Sequence, residues 1–143
     1  MSDYRAQVHL AVGMSVERRI QIETSDVRTF GLLVRDRNPL HFDADAAKAA
    51  GFSGVIVHGM LAASFFSGLL GSELPGTGTV YLGQSLRFEC PVPVGEEVTF
   101  RITVKAVRQD KPIVTLETAC ILADGTVAIR GEAVVKVPRE RVA

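Results

Sequence analysis

The longest strongly apolar stretch of the chain, residues 54–70, is the feature that most constrains what it can fold into. His58, Ser64 and Ser67 interrupt its hydrophobicity, and it is short for a membrane span. We therefore expect a buried helix over about residues 59–70 and no membrane partner. A lone apolar helix must be covered by an apolar surface from elsewhere in the chain.

The second half of the chain supplies such a surface. Apolar and polar residues alternate there with a period of two, which predicts strands over residues 79–88, 97–107, 113–123 and 126–136. Asp124-Gly125, between the last two runs, is a strong hairpin signal. Short connections favour antiparallel pairing, so the predicted fold class is α+β, with one antiparallel β-sheet wrapped around the central apolar helix.

The first half of the chain predicts shorter elements. They are a strand over residues 16–23, a helix over about residues 26–35 and a second helix over residues 44–50. We expect Thr24 or Ser25 to cap the first helix and Asp43 to cap the second. Asn38-Pro39 should stop the first helix, because a residue before proline avoids the α region.

Composition narrows the possible partners and compartments. The 143 residues suit one domain over 1–143, and the formal net charge of zero argues against nucleic acid or an anionic membrane as the main partner. Residues 1–10 lack the apolar core of a signal peptide, and Cys90 and Cys120 lie in apolar alternating runs. We expect reduced core thiols and a cytoplasmic protein. No metal is expected, since the histidines and cysteines show no ligand spacing.

The densest group of reactive side chains lies around Asp36, Asn38 and His41. A helix stop and a proline turn separate Asp36 from His41, so both side chains can converge on one point. A carboxylate and an imidazole that face one pocket can transfer protons to and from a bound water, with Asn38 fixing one of them by a hydrogen bond. The alternative is structural: Asp36 and Asn38 as turn formers and His41 as a helix-start residue.

A second candidate feature is His58-Gly59, where a glycine-containing segment enters the apolar helix. The first backbone N–H groups of a helix are unsatisfied and can stabilise negative charge on a carbonyl oxygen. Gly59 would let a substrate approach the backbone closely. The alternative is that His58 and Gly59 only make a tight turn into a buried helix. Ser64 and Ser67, on the same helix, are expected by default to bond back to it.

Together these residues resemble a known family. Asp36-x-Asn38-Pro39-Leu40-His41, the later Val57-His58-Gly59-Met60, the segment 81–88 and the closing segment 131–135 look like the MaoC-like hot-dog proteins. The resemblance covers about residues 10–138. It is closest to the short (R)-specific enoyl-CoA hydratases, of the hydratase 2 type, that feed polyhydroxyalkanoate synthesis. One departure is Arg35, at a position that is often glycine or acidic in the motif.

The resemblance implies a role for each site residue. Asp36 would orient and deprotonate a water, and His41 would bind the same water and share in proton delivery to a trans-2-enoyl-CoA. The Gly59 N–H would donate to the thioester carbonyl oxygen, and Asn38 and Ser67 would support the pair. The product would be an (R)-3-hydroxyacyl-CoA.

The resemblance also implies a homodimer whose two sheets join edge to edge, with an acyl tunnel near the interface. No cofactor is implied. Residues that could cap the tunnel are Leu61, Phe65, Leu69 and Val80.

Two other functions remain as alternatives. A hot-dog acyl-CoA thioesterase often carries a carboxylate on the central helix, and residues 60–70 contain no acidic residue. A non-catalytic acyl-binding module, or the partner subunit of a dehydratase, typically lacks the Asp/His pair, which this chain has in Asp36 and His41.

Overall fold

The computed structural model of the protein describes residues 9–142. We expect no signal peptide in residues 1–10, and residues 1–8 of this segment lie outside the described residues. The elements in chain order are β1 (Ser15–Gln21), α1 (Thr24–Val34), a 3-10 helix (Pro39–His41), α2 (Ala44–Ala49), α3 (Gly59–Ser72), β2 (Val80–Gln84), β3 (Arg87–Phe88), β4 (Glu97–Val107), β5 (Ile113–Ile121), β6 (Val127–Lys136) and a second 3-10 helix (Arg139–Arg141).

Across residues 9–142 the strands form one antiparallel sheet in the order β1-β4-β5-β6-β2, and β3 pairs with β6 beyond the end of β2. The two edges are therefore β1 on one side and β2 with β3 on the other. The predicted hairpin at Asp124-Gly125 is confirmed: Gly125 has a φ of +90°, and its N–H donates to the Leu122 carbonyl.

Helix α3 packs across β4 and β5 and is buried on the side that faces them. Phe66 and Phe100 are fully buried, with ring centroids 5.6 Å apart, and Phe65 stacks on Phe100 at 5.1 Å. Along β4, buried residues alternate with more exposed ones, which is the period expected of a sheet with one covered face. The predicted α+β fold, a sheet over a central apolar helix, is confirmed. Within residues 9–142, no helix is long and apolar enough to cross a membrane.

The start of α1 differs from the prediction. The helix begins at Thr24, and Glu23 is the cap residue instead of Thr24 or Ser25. The Asp26 carboxylate accepts the Glu23 N–H at 2.8 Å, so the reciprocal capping box places the helix start two residues early. The cap of α2 is as predicted, because the Asp43 carboxylate accepts the N–H groups of Asp45 and Ala46.

The strand predicted over residues 79–88 is divided into β2 and β3. Between them the chain crosses Gly131 of β6 so closely that a Cβ there would lie 1.8 Å from the Ser85 carbonyl oxygen. Two hydrogen bonds hold this crossing: the Ser85 N–H donates to the Glu132 carbonyl, and the Glu132 N–H donates to Ser85 Oγ, both at 2.9 Å. The crossing orients β3, which carries Phe88.

Both cysteines carry free thiols, as predicted. Cys120 is fully buried among the core residues of β5, and this burial raises the pKa of its thiol to about 12. Cys90 is half-buried.

We expect Gly131→Ala to lower the free energy of unfolding by at least about 2 kcal/mol, because the new methyl group meets backbone that cannot rotate away. Chemical denaturation measures this. The matched control is Gly68→Ala on α3, where a Cβ meets nothing within 4 Å. Removing glycine from a helix should raise stability there by up to about 1 kcal/mol. Equal stabilities of Gly131→Ala and the wild type would contradict the close crossing.

Candidate active site

The turn after α1 places Asp36 by means of its own backbone. Helix α1 ends at Val34, and Arg35 takes a left-handed conformation with φ 62°. The Asn38 N–H then donates to Asp36 Oδ1 at 3.0 Å, and the Leu40 N–H donates to Asn38 Oδ1 at 3.2 Å. Asn38 thus supports both sides of the site: its backbone holds the Asp36 carboxylate and its side chain caps the 3-10 helix that ends at His41.

His41 is oriented by the segment that leads into α3. Its Nδ1 lies 2.7 Å from the Ile56 carbonyl oxygen, which can only accept, so Nδ1 carries the hydrogen. In the neutral ring this leaves the lone pair on Nε2 free for a ligand. The Ile56 N–H donates in return to the Leu40 carbonyl at 3.1 Å.

His58 lies against both residues. It is the cap residue of α3 and only 3% exposed, and its ring stacks on that of His41 with centroids 3.8 Å apart. His58 Nε2 is 3.8 Å from Asp36 Oδ2, which is longer than a hydrogen bond. Among the described residues neither ring nitrogen of His58 has a hydrogen-bond partner.

Asp36, His41 and His58 lie close together in the fold. One polar atom from each lies within 4.8 Å of the other two. The same atoms are close enough for a metal ion, but the two imidazole planes are only 26° from parallel. Their in-plane lone pairs are therefore poorly directed at a single ion between the two rings.

The environment of His58 favours its neutral form. Burial lowers the pKa of His58 below its ordinary value of 6.5, and neighbouring His41 lowers it further, whereas Asp36 acts in the opposite direction. At neutral pH His58 is therefore an uncharged hydrogen-bonding group.

Gly59 and His41 line the same cavity, which has a volume of about 540 Å³ and mostly apolar walls. The first hydrogen bond at the start of α3 runs from the Ala62 N–H to the His58 carbonyl oxygen. The Gly59 N–H comes before this bond and therefore has no acceptor within the helix. A Cβ on Gly59 would lie 2.7 Å from the Phe88 ring, so glycine is what lets Phe88 pack against the helix start. Asp36 lines a second cavity of about 320 Å³.

The remaining predicted residues lie elsewhere in the fold. Leu61 and Leu69 are buried in the core, Phe65 stacks on Phe100, and Val80 is about half exposed on the edge strand β2. None of these four lines the cavity that contains His41 and Gly59, and their tunnel role stays a prediction. Ser67 is exposed on α3, and its supporting role also stays a prediction. Ser64 bonds back to the Met60 carbonyl at 2.6 Å, as expected.

Sequence reasoning did not assign His58 and Phe88 to the site. For His58 a signal was present, since an ionisable residue directly before an apolar helix is placed beside the core. Phe88 gave none, because its place over Gly59 depends on the crossing at Gly131.

Comparison with known proteins gives concordant results. Residues 7–125 match the family described as MaoC like domain. The chain is 50% identical over 129 residues to an (R)-specific enoyl-CoA hydratase of Aeromonas caviae, covering 90% of this chain and 96% of that protein. It is 44% identical to an (R)-specific enoyl-CoA hydratase of Rhodospirillum rubrum, covering 88% and 87%.

A solved structure agrees with the sequence comparison. The (R)-hydratase from A. caviae involved in PHA biosynthesis superposes with a TM-score of 0.88 at 50% identity, covering 90% of this chain and 98% of that one. Both its fold and its sequence are shared along nearly the whole length. The chain therefore belongs to the MaoC-like domain family.

Proposed function

We propose that the protein is an (R)-specific enoyl-CoA hydratase, which adds water to a trans-2-enoyl-CoA to give an (R)-3-hydroxyacyl-CoA. The observation that carries this proposal is the closeness of Asp36 and His41, which bring polar atoms within 4.8 Å of each other. The relatives at 50% and 44% identity are both named (R)-specific enoyl-CoA hydratase. The A. caviae structure is described as involved in PHA biosynthesis, which an (R)-3-hydroxyacyl-CoA could supply.

The geometry gives each group a task in the reaction. Asp36 and His41 hold the water, which loses a proton to the pair as its oxygen bonds to C3. The pair then returns a proton to C2, so its protonation is unchanged after each turnover. Electron density moves meanwhile toward the thioester carbonyl oxygen, where the Gly59 N–H at the start of α3 stabilises the charge. The addition changes no oxidation state, and we propose no cofactor.

The apolar cavity beside His41 is a fitting place for the acyl chain. It is lined by residues that include Phe52, Ile56, Met60 and Phe88. A thioesterase remains the alternative, but α3 has no acidic residue to serve the hydrolysis. The cytoplasmic location stays a prediction.

We also propose that two copies associate through the β2 edge. Val80, Tyr81 and Leu82 on that edge are uncharged and 39–54% exposed, whereas the opposite edge, β1, carries Glu17, Arg18 and Arg19. Charged residues protect an edge strand from pairing, and an uncharged edge invites a second copy. A twofold axis beside β2 would join the sheets into one.

The decisive assay is hydration of crotonyl-CoA by the wild-type protein. The loss of absorbance of the conjugated double bond measures the reaction, and chiral analysis identifies the product. We expect (R)-3-hydroxybutyryl-CoA without release of free thiol. Thiol release without hydration would support the thioesterase instead, and an (S)-product would contradict the proposed stereochemistry.

Asp36→Asn and His41→Gln should each lower kcat by at least about a hundredfold, because each removes one partner of the proton transfer. Both variants should keep the melting temperature within a few degrees, since the side chains are similar in size. Asp45→Asn and His9→Gln, at exposed positions outside the site, are the matched controls and should keep wild-type turnover. Near-normal hydration by either site variant would defeat the mechanism.

Leu82→Lys should raise the dissociation constant of the dimer by at least about a hundredfold, because it places like charges across the proposed twofold axis. Analytical ultracentrifugation over a concentration series measures the effect. Gln21→Lys adds the same charge to the opposite edge and should leave the dimer intact. A wild-type protein that sediments as a monomer at micromolar concentrations would rule out the β2 interface.

A further inference from the structure

The cavity beside Asp36 carries an excess of positive charge. Its volume is about 320 Å³, and its wall contains three arginines, Arg28, Arg35 and Arg37, but only one acidic residue, Asp36. The chain as a whole has no net charge, so this excess is local. Cations grouped around one cavity repel one another unless an anion lies among them. The lining of this cavity therefore suits an anionic ligand.

The three arginines of this cavity have no partner within the protein. Across residues 9–142 none of them forms an ion pair or a side-chain hydrogen bond, and all three are exposed. Other surface arginines are paired: Arg101 with Glu17 at 2.9 Å, and Arg108 with Asp110 at 2.6 Å. The guanidinium N–H groups at the cavity are therefore available to a ligand.

The side chain of Arg35 is not needed for the turn in which it lies. Arg35 has a φ of 62°, a left-handed conformation that glycine adopts at no steric cost. The bonds that end α1 come from the backbone, because the N–H groups of Arg35 and Asp36 both donate to the Gly31 carbonyl. A glycine would make the same bonds with less strain, so the guanidinium group points to a role outside the turn.

The cavity also has an apolar part, which narrows the kind of anion. Arg28 precedes Arg35 by seven residues, about 10 Å along a helix axis. Leu32 lies between them on the same face of α1 and is 78% exposed. Phe42, which is 42% exposed, lies in the same wall. Phosphates attached to larger uncharged groups fit such a surface, and CoA joins its phosphates to a pantetheine arm and an adenine ring.

We propose that this cavity binds phosphate groups of the CoA in the substrate, through Arg28, Arg35 and Arg37. The inference rests on the proposed hydratase function and assigns the CoA end of the same substrate. The cavity meets the site at Asp36, whereas the cavity proposed for the acyl chain meets it at His41. The pantetheine arm then spans the distance between the reacting carbons and the arginines.

The test compares crotonyl-CoA with crotonyl-pantetheine, which carries no phosphate. For a variant that combines Arg28→Gln, Arg35→Gln and Arg37→Gln, we expect KM for crotonyl-CoA to rise at least about thirtyfold, with kcat within about threefold of wild type. KM and kcat for crotonyl-pantetheine should both stay within about threefold. The matched control is Arg139→Gln, which removes an exposed arginine that does not line the cavity.

An unchanged KM for crotonyl-CoA in the combined variant would overturn the inference. An equal loss with both substrates would do the same, because the arginines would then act on Asp36 and not on phosphate. So would an Arg139→Gln variant with an effect as large as that of the combined variant. If the combined variant does not fold, the three single variants replace it, each with an expected rise in KM of at least about threefold.

Calorimetric titration with CoA itself separates this inference from the proposed function. The dissociation constant of CoA should rise at least about thirtyfold in the combined variant, and this measurement needs no turnover. A wild-type protein that shows this effect but does not hydrate crotonyl-CoA would refute the proposed hydratase and leave the phosphate site standing. A hydratase whose affinity for CoA does not depend on the arginines would refute the phosphate site alone.

Discussion

The packing of α3 against the sheet is the interaction on which the rest of the site depends. Phe66 and Leu70 hold the helix on the apolar face of β4 and β5, so the start of the helix is held too. The Val57 N–H donates to the Val92 carbonyl at 2.8 Å and fixes the segment just before it. His58 and Gly59 follow directly. The 3-10 helix that ends at His41 is tied to the same segment through Ile56, which bonds both Leu40 and His41. The position of α3 thus bears on His41, His58 and Gly59, whereas Asp36 is placed by the turn after α1.

Two locally unfavourable features lie at this site. An unpaired buried polar group costs about 1–3 kcal/mol, and a left-handed residue other than glycine costs about 1–2 kcal/mol. His58 is the first kind and Arg35 the second, and Asp36 lies next to both. Against a total stability of about 5–15 kcal/mol these are substantial losses. The large apolar core around α3 is what allows the protein to tolerate them.

The architecture could be predicted from the sequence because it rests on periodicity. The four later strands and the apolar helix each follow a hydrophobic repeat, and the cap at Asp43 follows a local hydrogen-bond rule. The split between β2 and β3 could not be predicted, because it comes from a backbone crossing at Gly131 that joins residues far apart in sequence. The same limit applies to the site. Asp36 and His41 are neighbours in the chain, whereas His58 joins them only through tertiary packing.

The interpretation of Asp36 and Asn38 as turn formers is confirmed, and the catalytic role proposed for Asp36 is compatible with it. Oδ1 accepts the Asn38 N–H and shapes the turn, while Oδ2 faces His58. The turn bond holds the carboxylate, so Oδ2 is oriented before any substrate arrives. His41 divides its two nitrogens in the same way, with Nδ1 bound to the backbone and Nε2 left for chemistry. His58 has no such backbone bond and is held by ring contacts alone. Among the described residues its two nitrogens have no hydrogen-bond partner, so His58 differs from His41 in having neither nitrogen fixed by the backbone.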